Sequence, residues 1–236
     1  MTTQVNRHAW AEANRRMFAS IVHRYDLVNT VMTLGRDATW RQEAAALAVP
    51  SPCTLALDMA TGTGQLAFAL ARRARQVVAL DIAPEMLAAA RNKARQRRLG
   101  RRIQLLLGDG LQMPFPAGVF DSAATAFTLR NVADLETALR ELHRVLRPGG
   151  RLACLELSRS LVPPLAALHM FYMARVVPLL GQWLAGNGRA YQFLPFSLSR
   201  FLTPGQLQRL LYRVGFRHVE YRLYSLQSVA IHVAIK

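Results

Sequence analysis

Short apolar runs that alternate with helix-length segments are the feature that most constrains the fold of this chain. Five such runs follow one another from residue 54 onward. They are TLALD (Thr54 to Asp58), VVALD (Val77 to Asp81), IQLLL (Ile103 to Leu107), FDSAATA (Phe120 to Ala126) and RLACLEL (Arg151 to Leu157). This alternation is typical of βαβ units that build a parallel sheet. We therefore expect an α/β fold with helices on both faces of the sheet.

The remaining elements follow from helix signals and strand spacing. The segment from Asp134 to Leu146 has apolar residues at helical spacing, with Asp134 as its N-cap and Pro148-Gly149-Gly150 as its stop. Near the C-terminus we expect one helix and two antiparallel strands, at Pro204 to Val214, Arg217 to Leu223 and Ser228 to Ile235. The sequence thus predicts a seven-stranded, mostly parallel sheet with an antiparallel last strand.

Two stretches do not follow the alternation, the N-terminal forty residues and Leu161 to Pro195. The chain has 236 residues, a length that corresponds to one domain. We therefore expect a single domain over residues 1–236, with a helical cap (1–45), a core (46–160), a helical lid (161–197) and a C-terminal helix and strand pair (198–236). Additions of this kind usually carry the functional variation of an α/β fold.

The composition combines a large apolar fraction with a strong positive charge. Hydrophobic residues make up 52% of the chain, which excludes a disordered protein. The 30 basic and 14 acidic residues give a formal net charge of +16, and all the basic residues except Lys93 and Lys236 are arginines. Arginine favours anionic partners, but a biased genome would give the same count. The densest basic run, Asn92 to Arg102, is better explained as a solvated helix end than as a nucleic-acid site.

The sequence also limits where the protein works. Cys53 and Cys154 lie far apart, so they form neither a disulfide framework nor a CxxC site, and the start has no apolar leader. We therefore expect a cytoplasmic location. Leu165 to Ala185 has the length of a membrane span, but it contains Arg175 and Pro178. It is interpreted as one or two amphipathic helices broken at Pro178, and contact with a membrane surface is left open.

Three acidic or glycine-rich strand ends predict a ligand site. Asp58 to Gly64 (DMATGTG) follows the first strand and opens a helix, Asp81 ends the second strand, and Gly108-Asp109-Gly110 ends the third. At the edge of a parallel sheet this pattern is typical of a nucleoside pocket. Asp58 has the wrong charge for a pyrophosphate but suits a cationic amino-acid group, which favours S-adenosylmethionine (SAM) over NAD. The alternative is that Asp58 and Asp81 merely cap helices, which explains each of them singly but not all three strand ends together.

At this point the chain resembles the class I methyltransferases, and specifically the ubiquinone/menaquinone biosynthesis C-methyltransferases. Its blocks are YDLVNTVMTLGRDATW (Tyr25 to Trp40), FTLRN (Phe127 to Asn131), RVLRPGGRLACLELS (Arg144 to Ser158), PLLGQWLAGN with AYQFLPFS (Pro178 to Ser197) and the terminal AIHVAIK. The similarity runs in the same order from about Met17 to Lys236. It implies a Rossmann-like class I methyltransferase fold with SAM as the cofactor.

The resemblance, the strand-end pattern and the apolar stripe of the lid together give the expected site residues. Those expected at the cofactor are Tyr25, Asp58, Thr61, Gly62, Thr63, Gly64, Asp81, Ile82, Asp109, Gly110 and Ala126. Those expected at the substrate are Phe127, Thr128, His169, Tyr172 and Tyr191. The helix that carries Tyr25, Asp26 and Asn29 is expected to close over the cofactor; without the resemblance it would be an ordinary capped helix. His23, His169 and His232 are better placed as bases than His143 and His218, which are expected to be structural or solvated.

Four positions depart from the family pattern. Gln65 replaces the usual Asp, Thr128 replaces the Gly of the FGLRN block, and Ser160 replaces a Pro. The segment LYSLQSVAIH lacks the glycine-rich turn expected before the last strand. Of these, Thr128 adds bulk near the point of methyl transfer.

Arg130 and Asn131 are the predicted catalytic residues. In one interpretation Arg130 stabilises the phenolate of a hydroquinone and Asn131 orients the ring. In the other, Arg130 pairs with a carboxylate such as Asp134 or Glu136.

A stripe of apolar and aromatic residues in the lid segment predicts a groove for an isoprenoid tail, with core packing as the alternative. The stripe consists of Met170, Phe171, Tyr172, Met173, Val176, Leu179, Trp183, Tyr191 and Phe193.

The function expected from all these features is SAM-dependent C-methylation of a prenylated hydroquinone, of the demethylmenaquinol type, at the inner face of an anionic membrane. A methyltransferase for another aromatic or lipid, an RNA methyltransferase and a non-catalytic accessory protein are the alternatives. Strand four ends in Ala126-Phe127-Thr128-Leu129, which is not the pattern of base amino-group methylation. Nucleic acid is therefore not the expected partner, and a homodimer is left open.

Overall fold

The computed structural model describes the backbone of residues 2–158, 163–186 and 188–236, and the side chains of these residues except 2–8, 11, 163–165, 185, 188–190, 192 and 193. Its strands are β1 (Cys53–Met59), β2 (Ala74–Asp81), β3 (Ile103–Leu107), β4 (Phe120–Ala126), β5 (Leu146–Leu157), β6 (Arg217–Tyr224) and β7 (Val229–Ile235). They form one sheet in the order β3-β2-β1-β4-β5-β7-β6. β7 runs antiparallel to β5 and β6, and the other neighbours are parallel. The predicted fold class is confirmed.

Helices cover both faces of this sheet and its carboxyl edge. They are α1 (Thr2–Ile21), α2 (Tyr25–Met32), α3 (Arg36–Ala48), α4 (Gln65–Leu70), α5 (Pro84–Gln96), α6 (Leu135–Val145), α7 (Pro163–Phe171), α8 (Val177–Ala185), α9 (Gly188–Arg200) and α10 (Pro204–Arg213). A 3-10 turn (Leu129–Asn131) follows β4, and a π-helical turn (Tyr172–Val176) joins α7 to α8. No helix among these described residues is both long and apolar enough to cross a bilayer.

Alternating strand residues build a core on each face of the sheet. Ala56 of β1 belongs to the cluster under α3 and α4, whereas its neighbour Leu57 belongs to the cluster under α6 and α10. A third cluster lies away from the sheet and joins α1 and α2 to the lid helices. It contains Ile21, Val28, Met173, Val177, Tyr191 and Leu198. The lid therefore packs on the N-terminal helices, because both present apolar residues there.

Two element boundaries differ from the sequence prediction. α6 ends at Val145, and residues 146–150 belong to β5, where the pairing with β4 shifts between Phe120 and Ser122. Pro148-Gly149-Gly150 therefore forms an irregularity at the start of a strand. The lid is also not broken at Pro178. Instead, the helix continues through a π-helical turn just before Pro178. A proline has no amide hydrogen to donate to the carbonyl four residues earlier, so the regular α-helical hydrogen bond cannot form there.

The turn before β7 forms without glycine. Ser225, Leu226 and Gln227 adopt φ angles of 50°, 54° and 67°, in the left-handed region. Ser228 closes the turn, with both its amide and its hydroxyl donating to the carbonyl of Ser225. The absence of the family's glycine-rich turn, noted in the sequence, thus results in a strained turn and not in a different topology.

Candidate functional site

A cleft of about 1160 Å³, including its open mouth, lies at the carboxyl ends of β1 to β4. Its lining brings together ten of the eleven residues predicted for the cofactor. These are Tyr25, Asp58, Thr61, Gly62, Thr63, Asp81, Ile82, Asp109, Gly110 and Ala126. The eleventh, Gly64, shapes the turn behind the cleft: its φ is 88°, and a Cβ there would lie 2.9 Å from Cζ of Phe68. Any other residue at this position would strain the loop.

Asp58 is a buried carboxyl group that forms no ion pair among the described residues, although the charge of Arg41, which also lines the cleft, acts on it. Its side chain is 1% exposed, and Oδ2 accepts a 2.6 Å hydrogen bond from the hydroxyl of Thr61. Oδ1 has no hydrogen-bond partner among the described residues. Burial raises the pKa of Asp58 to about 7. A cationic ligand group would therefore be stabilised next to this carboxyl.

Asp81 and Asp109 each accept hydrogen bonds from loop amides and line the cleft. Asp81 accepts backbone hydrogen bonds from Gly62 (2.7 Å) and Ala83 (2.9 Å), and burial raises its pKa. Asp109 accepts from the amide of Leu111 at 2.8 Å. Neither bond caps a helix, because the N-cap of α5 is Ala83 and Asp109 lies in a turn. Both residues line the cleft, where their remaining lone pairs can accept from ligand hydroxyl or amino groups.

Helix α1 closes one side of the cleft. Trp10 Nε1 and Asn14 Nδ2 both donate to the carbonyl oxygen of Asn131, at 2.9 and 2.7 Å. Both side chains line the cleft. The sequence analysis did not single out these residues, because the start of the chain has neither a motif nor a clear apolar period.

Helix α2 is held to the glycine-rich loop through Asp26. The carboxylate accepts 2.6 Å hydrogen bonds from the hydroxyl of Thr63, from Nε2 of Gln65 and from Nζ of Lys93. These bonds lower the pKa of Asp26 against the opposing effect of burial. The departure at Gln65 also gains a structural reason here, since an Asp at this position would face Asp26 with like charge. The hydroxyl of Thr63 is occupied by this contact, so the backbone of Thr63 is left to meet a ligand.

A second cavity, of about 620 Å³, continues from the first between α1, α2 and the lid. Its lining is mostly apolar and includes Met17, Ile21, Met32, Leu157 and Leu194. The two cavities share the residues at their junction. These are Phe18, Tyr25, Arg41, Phe127 and Asn131.

Arg130, which lines the second cavity, forms a buried ion pair with Glu156 at the end of β5. The two side chains are 6% and 1% exposed. The same guanidinium nitrogen, Nη1, donates to the carbonyl of Phe127 at 2.8 Å, while Nε has no partner among the described residues. The interpretation that Arg130 pairs with a carboxylate is correct, but the predicted partners were wrong. Asp134 instead caps α6, and Glu136 pairs with Arg140.

The turn after β4 explains the departure at Thr128. Phe127, not Thr128, adopts the left-handed conformation, with a φ of 58°. Thr128 has a φ of −113°, so it needs no glycine, and its hydroxyl donates to the carbonyl of Ala126 at 3.2 Å. Both residues line the first cleft, and Phe127 also lines the second cavity. The turn thus places an aromatic ring at the junction.

Among the predicted lid residues, Tyr191 lines the second cavity. Met173 is buried in the cluster that joins the lid to α1 and α2, and Tyr172 donates its hydroxyl to the carbonyl of Met32 at 2.8 Å. Phe171, Leu179 and Trp183 are exposed. Val176 and Met170 are partly buried, and the side chain of Phe193 lies outside the described residues. Ser160, one of the departures from the family pattern, also lies outside them. The apolar stripe is therefore divided between core and surface.

The histidines do not gather at the cavities. His169 is partly buried on α7, and Nε2 of His232 donates to the carbonyl of Pro204 at 2.9 Å. Neither residue lines the two cavities described here. His143 contacts Phe216, and burial lowers its pKa. The interpretation of His143 as structural agrees with this position.

Arg41 is a buried cation that the sequence analysis missed. It pairs with Asp37 four residues earlier, and its guanidinium lies 5.2 Å from the ring centroid of Phe127. It lines both cavities. Arg41 could have been found from the sequence, because it directly follows the family block that ends at Trp40.

The sheet order with its reversed β7, and the cleft of carboxyl groups at the ends of β1, β2 and β3, define a class I SAM-dependent methyltransferase. The chain belongs to the ubiE/COQ5 methyltransferase family, which matches residues 6–236. The predictions of the family, of SAM as cofactor and of C-methylation in quinone biosynthesis are thereby confirmed at the level of the family.

Curated relatives span nearly the whole chain. A demethylmenaquinone methyltransferase of Thermus thermophilus is 44% identical over 92% of this chain and 98% of its own length. The ubiquinone/menaquinone biosynthesis C-methyltransferase UbiE of Methylobacterium nodulans is 40% identical over 92% and 87%. The mitochondrial 2-methoxy-6-polyprenyl-1,4-benzoquinol methylase of Gallus gallus is 32% identical over 96% and 86%.

Solved structures share the fold. A SAM-dependent methyltransferase from Thermotoga maritima matches with a TM-score of 0.67 and 18% identity, over 94% of this chain and 99% of its own. The [4+2]-cyclase SpnF matches with a TM-score of 0.66 and 22% identity, over 84% and 80%. Since a protein titled a cyclase has the same fold, the reaction has to be argued from the site and the family rather than from the fold.

Proposed function

We propose that this chain methylates a ring carbon of a prenylated hydroquinone of the demethylmenaquinol type. The observation that carries the proposal is the second, mostly apolar cavity. It meets the cofactor cleft at Phe127 and Asn131, and its lining includes Arg130, whose buried Nε has no partner among the described residues. An aromatic ring with a polar substituent fits a cavity with these properties. The names of the relatives from Thermus thermophilus and Methylobacterium nodulans support the same substrate class.

The residues of the first cleft fit SAM. We assign Asp58 to the cationic amino-acid end, because its buried Oδ1 is unsatisfied among the described residues. We assign Asp81 to the ribose hydroxyls and Asp109 with Gly110 to the adenine. Gly62 and Gly64 let the backbone approach the ligand closely, since both adopt positive φ angles. When bound, SAM would supply an activated methyl group for transfer to a ring carbon.

Arg130 and Asn131 then act on the ring. A ring carbon of a hydroquinone becomes nucleophilic as a neighbouring hydroxyl loses its proton to solvent water before the cavity closes. After methyl transfer the same carbon loses its hydrogen as a proton, which restores the aromatic ring. Because the charge of Arg130 is paired with Glu156, Arg130 acts by donating a hydrogen bond from Nε to the developing phenolate oxygen. The unsatisfied Oδ1 of Asn131 accepts from a ring hydroxyl and so orients the ring. Helices α1 and α2 exclude water from both groups.

A methyl-transfer assay with labelled SAM tests this assignment. Demethylmenaquinol, a demethylated benzoquinol and tRNA are offered side by side under reducing conditions, and label is counted in each product. We expect label in demethylmenaquinol first. Label in tRNA alone, or in none of the three, would show that the proposed substrate class is wrong.

We also propose that the enzyme works at the inner face of an anionic membrane. The lid helices α7 and α8 carry exposed apolar residues, with Leu179 at 70% and Trp183 at 84% exposed, and Leu168 and Phe171 at 65% and 60%. A bilayer interface accommodates aromatic and aliphatic side chains of this kind, and the net charge of +16 favours anionic headgroups.

Vesicle flotation tests the membrane proposal. We expect binding to vesicles with phosphatidylglycerol, weaker binding to pure phosphatidylcholine, and loss of binding in a Leu179→Ser, Trp183→Ser variant. Leu226→Ser is the matched control, because Leu226 is 71% exposed in the turn between β6 and β7. Equal binding of all variants, or of both lipid compositions, would contradict the proposal.

A further inference from the structure

Tyr191 has a buried hydroxyl group that lacks a hydrogen-bond partner in the part of the chain that the structure describes. The residue is 2% exposed on α9, and its hydroxyl oxygen is unsatisfied among the described residues. Buried polar groups without a partner are rare in folded proteins, since burying them costs free energy. Tyr191 also lines the second cavity. A ligand in that cavity can therefore supply the missing hydrogen bond.

Close packing fixes the position of the Tyr191 ring. A Cβ added to Gly181 on α8 would lie 2.2 Å from Cδ2 of Tyr191, so the ring occupies the space that any other residue at position 181 would fill. The ring also belongs to the apolar cluster with Ile21 and Val28. The hydroxyl is thus held in one place before any ligand arrives.

The other unsatisfied groups of the cavity come from a different element. Arg130 and Asn131 lie in the 3-10 turn after β4, against which α9 packs. Their Nε and Oδ1 atoms lack partners among the described residues. Burial, with Tyr25 close by, raises the pKa of Tyr191 above its usual value, so its hydroxyl stays protonated and available as a donor. Two elements thus contribute residues with unpartnered polar atoms to the lining of the second cavity, which also contains Asn29, Thr33 and the ion pair of Asp37 with Arg41.

We propose that Tyr191 orients the substrate by donating a hydrogen bond to the ring oxygen that lies opposite the one bound by Arg130. The inference rests on the proposed function, because a hydroquinone has two oxygens on opposite ring carbons. Contacts at both oxygens fix the rotation of the ring in its own plane. They thereby determine which carbon lies at the junction with the cofactor cleft.

The test compares ligands with two oxygens and with one. Inhibition constants of 1,4-dihydroxynaphthalene and 1-naphthol are measured against methylation of demethylmenaquinol, for the wild type and for Tyr191→Phe. We expect the wild type to prefer the dihydroxy compound about tenfold, the factor typical of one hydrogen bond. Tyr191→Phe should lose this preference, while its affinity for SAM and its melting temperature do not fall.

Tyr212→Phe is the control. The hydroxyl of Tyr212 bonds to the backbone of Val219, so this variant should lose stability and keep the tenfold preference. Gly181→Ala is a second test, since it displaces the Tyr191 ring; the KM for quinol should rise while the KM for SAM stays unchanged.

The outcomes separate the two proposals. A preference that persists in Tyr191→Phe, or a wild-type KM for quinol in Gly181→Ala, would overturn the role of Tyr191 alone. A wild-type enzyme that does not methylate demethylmenaquinol would overturn the proposed function, and this inference with it.

Discussion

Replacing Asp58 by Asn tests the electrostatics of the cofactor cleft. Burial raises the pKa of Asp58 from 3.8 to about 7, and in the unfolded chain this carboxyl would titrate near its ordinary value. The unfolded state therefore releases a proton between pH 4 and 7 that the native state keeps. Stability falls over that interval as the pH rises, by about 1.4 kcal/mol per pH unit, or about 4 kcal/mol in total.

The variant should remove this dependence. At pH 8 the ligand-free Asp58→Asn protein should be more stable than the wild type by up to about 4 kcal/mol, and the difference should vanish near pH 4. SAM binding should respond in the opposite way. A bound cation lowers the pKa of Asp58, so wild-type affinity should fall below pH 7 by up to about tenfold per pH unit. The variant should bind SAM more weakly and without this pH dependence.

Calorimetry and thermal melting measure both effects. Titration of SAM in two buffers that differ in protonation enthalpy gives the number of protons released on binding, which should approach one near pH 6. Asp121→Asn is the control, because Asp121 pairs with Arg147 and accepts from the amides of Thr54 and Leu55 at the other end of the strands. Wild-type affinity that does not change between pH 5.5 and 8 would refute the reasoning.

Four further changes have defined outcomes. Arg130→Ala should abolish methyl transfer and lower the free energy of unfolding in urea by about 3–5 kcal/mol, because Glu156 stays buried without its partner. Adding Glu156→Ala should restore this stability but not methyl transfer. Restored methyl transfer in the double variant would contradict the mechanism. Asp26→Ala removes the acceptor of three hydrogen bonds, so SAM affinity should fall about tenfold and amide hydrogen exchange in α1 and α2 should accelerate. Unchanged exchange rates would exclude the role of Asp26 in holding α2 to the glycine-rich loop. Burial lowers the pKa of His232 from 6.5 to about 4, so stability should be lost as the pH falls through that interval, by about 3 kcal/mol, and His232→Gln should flatten the profile of unfolding against pH. Leu226→Gly should raise stability by about 1 kcal/mol, because an exposed leucine holds a φ of 54°, and a lower melting temperature would argue against strain there.

The sheet could be predicted well because its signals are local. β3 and β4 have the predicted bounds, since apolar runs of five to seven residues between helical segments leave few alternatives. The cofactor cleft was predictable for the same reason: its residues follow the strands directly. Asp58, Asp81 and Asp109 converge because parallel strands end at one edge.

The partners of these residues were much harder to predict. Glu156 lies 26 positions from Arg130 and reaches it only because β4 and β5 are neighbours in the sheet. Asp26 meets Lys93 across 67 positions, from an element that does not belong to the sheet. Long-range pairs of this kind depend on how helices dock, which hydrophobic periodicity in one sequence does not specify.

The lid was ambiguous for a different reason. Its residues are apolar on more than one side, so periodicity could not separate those that face the core from those that face solvent or a ligand. Met173 and Trp183 belong to the same predicted stripe, yet one is buried and the other is 84% exposed. The π-helical turn contributes to this separation, because it shifts the residues that follow around the helix axis.

Helix α1 covers both cavities, and this has a kinetic consequence. Trp10 and Asn14 line the cofactor cleft, Met17 and Ile21 line the second cavity, and Phe18 lines both. Spent cofactor has to leave after every methyl transfer, and the movement of α1 that releases it also uncovers the methylated product. We therefore expect the departures of the two products to be coupled, with the opening of this helix limiting the steady-state rate.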